Sequence, residues 1–298
     1  MLISVLQAAV DALQPSPSQP ADLIPSVSFA DAATAVQQHQ ADYAIIPFEN
    51  SSNGSVVQTL DLLADRSGIF SDIEVCAEHY LTVHHCFMVQ KPHEGKTPAH
   101  SSIKKLYTHP QAWGQCDKFL GEHFKGVERQ DVSSTSKAAE IVVNEPATEH
   151  SGAIASRFAA GYHGAEILAE NIEDKDDNTT RFLVLRNARS ERSSTSHQLL
   201  DPPATAAPSS LKTLVLFTVD HNSPGALADA LSVFRNNGMN LTSINTRPTQ
   251  KCAWQYVFFV ESEGVPASQN KETVTRVLEG LQQVTESFRY FGTWVGRH

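Results

Sequence analysis

Between Asn187 and Ser210 the chain reads "NARSERSSTSHQLLDPPATAAPSS". Ser, Thr, Ala and Pro without apolar periodicity make a linker, because so little apolar surface cannot offset the entropy of ordering the backbone. The 298 residues are therefore expected to fold as two regions, 1–186 and 211–295, joined by 187–210. Each region has the length of an ordinary domain.

Before the linker, short apolar runs alternate with helical patterns. "IPSVSF", "YAIIPF", "DIEVCAE", "LTVHHCFMV", "KKLYTH", "GAIAS" and "TRFLVL" read as strands. Ala30–Gln38, Val56–Ala64, Pro110–Leu120, Ser134–Asn144 and Arg157–Ala160 read as helices, after an amphipathic one over Ile3–Leu13 that the prolines at 15, 17 and 20 stop. Such alternation predicts an α/β fold with parallel pairing, whose helix N-termini at strand ends favour anions. After the linker come "KTLVLFTVD", "PGALADALSVFRNNG", "NLTSINTRP", "AWQYVFFVE", "ETVTRVLEGLQQV" and "SFRYFGTW". Their order is βαββαβ, the ferredoxin-like arrangement.

Composition narrows the function. The net charge of −10 disfavours nucleic acid, whose binding relies on Lys and Arg neutralising phosphates. No segment has the ~18 apolar residues needed to cross a bilayer, and the N-terminus shows no basic leader or Arg-rich transit pattern. The expectation is a cytoplasmic protein without membrane or nucleic-acid partners. Cys76, Cys86, Cys116 and Cys252 form no CxxC pair and read as reduced thiols.

Two polar junctions stand out. "YAIIPFENSSNG" runs from a buried strand into Glu49, Asn50 and Ser51, and "DDNTTRFLVL" runs from a polar loop through Thr179, Thr180, Arg181 and Phe182 into another strand. The first alone reads as an Asx turn. The second is harder to read as a turn or cap, because a strand follows, and Arg181 requires an anionic partner there. That partner is either a ligand carboxylate or an internal acid, Asp176 or Asp177. "THPQAWGQC" offers His109, Gln111 and Gln115 at a helix start, and "SSTSKAAEIV" offers Ser134 and Thr135, where simple capping is an equally good account. His84 and His85 fall within a strand pattern on opposite faces, which disfavours a shared metal. No phosphate loop, GxGxxG or zinc motif occurs, so no cofactor or metal is expected.

Taken together, "YAIIPFENSSNG", "YTHPQAWGQC", "SSTSKAAEIV", "GAIAS", "ILAENIEDKDDNTTRFLVL" and "HNSPGALADAL…LTSINTRP" resemble, in order, the prephenate dehydratases. The resemblance covers about residues 3 to 294 apart from the linker. It implies a two-lobed, periplasmic-binding-protein-like catalytic region with its site in the cleft between lobes, followed by an ACT regulatory domain. It further implies decarboxylative dehydration of prephenate to phenylpyruvate without metal or nucleotide. By resemblance, Thr180 donates to the leaving hydroxyl, with Asn50 and Glu49 as catalytic companions. Ser51, Gln111, Gln115, Ser134, Thr135, Arg181 and Phe182 look like substrate binders. L-Phenylalanine is the implied effector, held by Asn222, Ser223, Pro224, Gly225, Ala226 and Leu227 together with Asn245, Thr246, Arg247 and Pro248. Family ACT domains pair edge to edge, which implies a homodimer or homotetramer.

Two departures qualify this. The family's opening strand and "GPxGTYS"-like turn do not precede "LQAAVDAL", which implies either a longer protein or a reduced activity. The family's "ESRP" reads "NTRP", removing one charge from the effector motif. Arogenate dehydratase, and a catalytically impaired aromatic amino-acid sensor, are the alternative expectations.

Overall fold

A computed structural model describes residues 2–13, 21–92, 98–190, 211–265 and 270–296. In chain order the elements are α1 (Leu2–Leu13), α2 (Phe29–Gln37), β1 (Tyr43–Asn50), β2 (Gly54–Ser55), α3 (Val57–Ala64), β3 (Ile73–Thr82) and β4 (Cys86–Val89). Next come β5 (Lys105–Thr108), α4 (Pro110–Trp113), α5 (Asp117–His123), β6 (Glu128–Asp131), α6 (Thr135–Asn144), β7 (Ser151–Ala155), α7 (Arg157–His163), β8 (Glu166–Glu170) and β9 (Thr179–Asn187). The C-terminal region holds β10 (Leu211–Thr218), α8 (Ala226–Asn236), β11 (Asn240–Pro248), β12 (Tyr256–Val265), α9 (Asn270–Val284) and β13 (Ser287–Val295). The chain divides into two compact units, Met1–Gln7 with Leu81–Thr180, and Ala8–Tyr80 with Arg181–His298.

The first unit is built on a five-stranded sheet of order β6-β5-β7-β4-β8. Strand β5 runs parallel to β6 and β7, whereas β4 runs antiparallel to β7 and β8. The pairing is therefore mixed rather than wholly parallel. Side chains alternate across the strands. Cys86, Met88, Tyr107, Ala153 and Ala155 pack against Ala138, Ala139 and Val142 of α6 and Ala159 and Ala160 of α7. Phe87, Val89, Leu106 and Ile154 pack on the opposite face against Leu120 of α5, with Cys116 and Phe124 flanking it. Helical cover on both faces explains why β4 and β7 are buried at every residue.

The second unit holds two four-stranded sheets, β2-β1-β9-β3 and β11-β12-β10-β13. The latter is antiparallel, and its order, fourth-first-third-second within βαββαβ, is ferredoxin-like. The central strands β10 and β12 are buried on both faces. Val215, Phe217, Phe258 and Val260 meet Ala230 and Phe234 of α8 and Val277 and Leu281 of α9. The alternate residues Leu214, Leu216, Val257, Phe259, Phe291 and Trp294 share a core with Ile46, Phe48, Ile73, Val75, Leu183 and Leu185 of the other sheet.

Several sequence expectations need correction. "IPSVSF" forms no strand: Ile24 and Val27 are 72% and 94% exposed. The reason lies in Ser28 and Asp31, whose reciprocal side-chain bonds form a capping box that starts α2. The helix expected over Pro110–Leu120 breaks at Gly114, and α5 restarts with the Asp174 carboxylate accepting from the Asp117 and Lys118 backbone N–H groups at 3.1 Å each. His84 and His85 lie in the connection between β3 and β4, outside any strand. Asn187, the expected first residue of the linker, ends β9, and its buried amide donates to the Gln37 carbonyl at 3.1 Å. The remaining linker residues 191–210 lie outside the described residues. Among the described residues no helix is long and apolar enough to cross a membrane.

Candidate active site

The two polar junctions seen in the sequence fall on neighbouring strands, β1 and β9. Strand β1 ends at Glu49 and Asn50, which pair with Ser55 and Gly54 of β2. Between them the chain turns, with Asn50 Oδ1 accepting from the Ser52 and Asn53 N–H groups at 3.0 and 2.9 Å. Gly54 has φ +75°, where an L side chain would be strained. The Asx turn is thus real, and it fixes the side chain of Asn50 while leaving Ser51 exposed at the tip.

Strand β9 opens with Thr179, whose hydroxyl donates to the Asp177 carbonyl at 3.3 Å. Arg181 and Phe182 are both buried. Period-two alternation puts Arg181 with Leu183 and Leu185 on the face shared with the C-terminal sheet, and Thr180 on the other. Arg181 Nη1 lies 3.9 Å from Glu49 Oε2, and its guanidinium sits over the Phe48 ring at 5.4 Å. The end of β1 and the start of β9 therefore share one edge of the sheet.

The anionic partner that Arg181 requires is internal, but it is neither Asp176 nor Asp177. Arg181 Nη2 pairs with Glu78 of β3 at 2.7 Å and with Glu261 of β12. Lys212 of β10 completes the cluster, 3.1 Å from Glu78 and 3.0 Å from the Tyr80 hydroxyl. Burial works against charge on Arg181 and Lys212, yet Glu261 and Glu78, with Tyr80 at Lys212, outweigh it and hold both proton affinities above their ordinary values. Glu78, Glu261, Lys212 and Tyr80 were not singled out from sequence. The available signal was a lone charge inside each of "LKTLVLF" and "VFFVES", and the second of two glutamates in "IEVCAEHYL".

In the first unit the remaining candidates cluster by topology. Because β6, β5 and β7 are adjacent and parallel, the loops after them share the carboxyl edge of that sheet. His109 caps α4, its ring nitrogen accepting from the Gln111 N–H at 3.3 Å, and Gln111 is exposed. Gln115 Oε1 meets the His85 Nε2 at 2.7 Å, and its carbonyl accepts from the Asp174 N–H at 2.7 Å. Burial holds His85 below the ordinary histidine range, so it is neutral at pH 7 and Nε2–H donates to Gln115. The Gln115 amide NH2 is thereby turned away from His85, available to an acceptor. Ser134 caps α6, accepting from the Lys137 N–H at 3.0 Å, and Thr135 opens that helix. His84 pairs with Glu173 at 2.7 Å. Among the described residues no group of three or more His, Cys, Asp or Glu is placed to hold a metal.

The effector candidates lie in the second unit. Asn222, Ser223 and Pro224 form the turn before α8, with Asp220 accepting from the Asn222 and Ser223 N–H groups. Gly225 stands at the N-cap with φ +90° and no side-chain cap; the Ser223 carbonyl accepts from the Ala226 N–H at 3.2 Å, and no side chain caps the turn at Leu227. Asn245, Thr246, Arg247 and Pro248 end β11. Asn245 accepts from Ser55 Oγ at 2.6 Å, and Arg247 makes a two-point pair with Asp61 of α3 at 2.8 and 2.9 Å. That segment is thus fastened to the β2 strand beyond the Glu49–Asn50–Ser51 turn.

Comparison with known proteins follows the same residues. A prephenate dehydratase family profile matches residues 6–190. A bifunctional chorismate mutase/prephenate dehydratase of Aquifex aeolicus is 34% identical over 91% of this chain, which spans 66% of that relative's length. A prephenate dehydratase of Arthrobacter aurescens, solved in complex with L-Phe, superposes with a TM-score of 0.76 at 26% identity, covering 96% of this chain and 86% of that one. A structure described as a quorum quenching acylase, GqqA, superposes at 0.74 with 27% identity, covering 98% and 93%. Two different activities are thus attached to similar folds, and fold alone does not choose between them. The profile match, which takes in both polar junctions over more than half the chain, identifies the lineage: the chain belongs to the prephenate dehydratase family.

Proposed function

We propose that the protein catalyses the decarboxylative dehydration of prephenate to phenylpyruvate, with 1–186 as the dehydratase region and 211–295 as an ACT regulatory domain. The observation that carries this is the adjacency of the Glu49–Asn50–Ser51 turn and the Thr180–Arg181–Phe182 strand start at one sheet edge, within a family-matched segment. In the reaction the ring carboxylate leaves as CO2, its bonding electron pair enters the ring, and the C–O pair departs with the hydroxyl, which gains a proton to become water. Aromatisation drives the step. Thr180 donates a hydrogen bond to the departing oxygen, the proton itself coming through water because a threonine hydroxyl is too weak an acid to release it. Preorganised donors of this kind typically contribute ~10²–10³-fold. Asn50 and Glu49 orient that end of the ring. Gln111, Gln115, Ser134 and Thr135, beside the N-terminus of α6, bind the carboxylates.

Regulation by L-phenylalanine fits the uncapped start of α8, where N–H groups and the helix dipole suit an amino-acid carboxylate. The pairing of Arg247 with Asp61 and of Asn245 with Ser55 offers a direct route from that domain to the β1–β2 turn. Edge-to-edge pairing of such domains would make the protein a homodimer or homotetramer. The test is turnover of prephenate by the purified chain, followed by phenylpyruvate absorbance in alkali, with and without L-phenylalanine. Turnover lowered by phenylalanine is expected. Absence of turnover would refute the enzyme and favour an amino-acid sensor.

A further inference from the structure

The four charges around Arg181 balance, and all four are removed from water: Glu78 is 1% exposed, Glu261 2%, Lys212 4% and Arg181 6%. Two of them, Lys212 and Glu261, come from the C-terminal sheet, beyond the 6–190 segment that carries the family match. Their geometry is specific. Glu261 Oε2 takes one arm of the guanidinium, Oε1 accepts from the Thr242 hydroxyl at 3.0 Å, and Lys212 stands 3.8 Å away. The guanidinium so gripped lies against Phe48 and Glu49 on β1, and its backbone is bonded to Thr180. Arg181 Nε has no hydrogen-bond partner, so the orientation of the group rests on its Nη contacts.

We propose that Glu261, resting on the dehydratase reading above, is a positioning residue for the reaction: from the C-terminal sheet it holds Arg181 in the orientation that sets the Glu49–Asn50 turn and the Thr180 strand start. The regulatory region thereby supplies part of the scaffold of the catalytic edge. Glu261 is thereby the carboxylate through which β12 acts on the Arg181 guanidinium of β9.

The experiment compares the full chain with Glu261→Gln and with Lys212→Met/Glu261→Gln, measuring kcat and KM for prephenate and the melting curve of each. Glu261→Gln keeps shape but leaves a buried positive charge in excess, so it is expected to melt lower. The double variant restores charge balance, leaving Arg181 with Glu78, and is expected to recover most of the melting temperature. If Glu261 positions, kcat stays about 10- to 100-fold down in the double variant, as for small misplacements at reacting groups, while KM moves less than about threefold. Recovery of kcat together with stability in the double variant would show that Glu261 only balances charge and would overturn the proposal. A folded Glu261→Gln with wild-type kcat would overturn it equally. An inactive wild-type chain would instead refute the dehydratase reading, and this proposal with it.

Discussion

Gly292, on β13, meets the neighbouring sheet more closely than a side chain permits. Its φ is +124°, and a Cβ built there would stand 2.4 Å from the carbonyl oxygen of Val75 and 3.4 Å from its carbonyl carbon. The obstacle is main chain in a fully buried part of β3, so no side-chain rotation relieves it. Gly292→Ala therefore suffers two penalties. Backbone strain at positive φ costs about 1–3 kcal/mol, and forcing the two sheets apart costs about 1–3 kcal/mol more. The total of about 2–6 kcal/mol corresponds to a melting temperature lower by roughly 4–12 °C for a chain this long. Gly164→Ala separates the terms, because Gly164 has φ +77° with nothing within 4 Å of its Cβ. Only the strain applies there, lowering the melting temperature by roughly 2–6 °C. Thermal unfolding followed by circular dichroism reads both variants. A Gly292→Ala protein melting no lower than Gly164→Ala would show that the sheets do not approach as closely as described.

Two further outcomes test the site itself. Thr180→Val is expected to lower kcat by about 10²-fold or more with little change in KM, whereas Thr179→Ala, on the other face of β9, should lose far less; equal losses would remove Thr180 from its role. Burial holds His85 below its ordinary proton affinity, so the unfolded chain binds a proton that the folded chain refuses. Stability is therefore full above about pH 6.5, the unfolded value, and declines as pH falls below it, by up to about 1.4 kcal/mol per pH unit, until the folded value is passed. His85→Gln should flatten the fall in melting temperature between pH 7.5 and 5, and an unchanged slope would mean that His85 titrates normally.

Much of this architecture can be read from residue pattern. Unbroken apolar runs such as "LVLF" and "YVFFV" announced strands, and they are unbroken because β10 and β12 are buried on both faces. What period-two and period-3.6 patterns could not show were the two edge strands of the first unit. Glu128–Asp131 forms one edge of the five-stranded sheet, where solvent replaces a neighbour and polar side chains suffice. At the other edge Glu166–Glu170 has only three apolar residues, Ile167, Leu168 and Ala169, too short a run to tell strand from helix. At Ile24–Phe29 two local signals competed, and the capping chemistry of Ser28 and Asp31 prevailed over apolar spacing. At the site, the chain announced that Arg181 needed a counter-charge but not which one. The answer depended on sheet-on-sheet packing, which brings Glu261 to it across a separation of 80 residues. Nearby acids such as Asp176 were closer in sequence and wrong in space.

The shared core between the two sheets of the second unit has a consequence for how this part of the chain unfolds. Leu214, Leu216, Val257, Phe259, Phe291 and Trp294 cover Ile46, Phe48, Val75, Leu183 and Leu185, so neither sheet is dry without the other. A covalent boundary at residue 190 is then no thermodynamic boundary. The two sheets should melt as one cooperative transition, protected from hydrogen exchange to a common free energy, rather than as a catalytic fold carrying a detachable sensor. Ligands that bind the C-terminal βαββαβ would raise the melting point of β1 and β9 along with their own strands. A fragment ending at the family boundary would expose an apolar sheet face and favour self-association over folding.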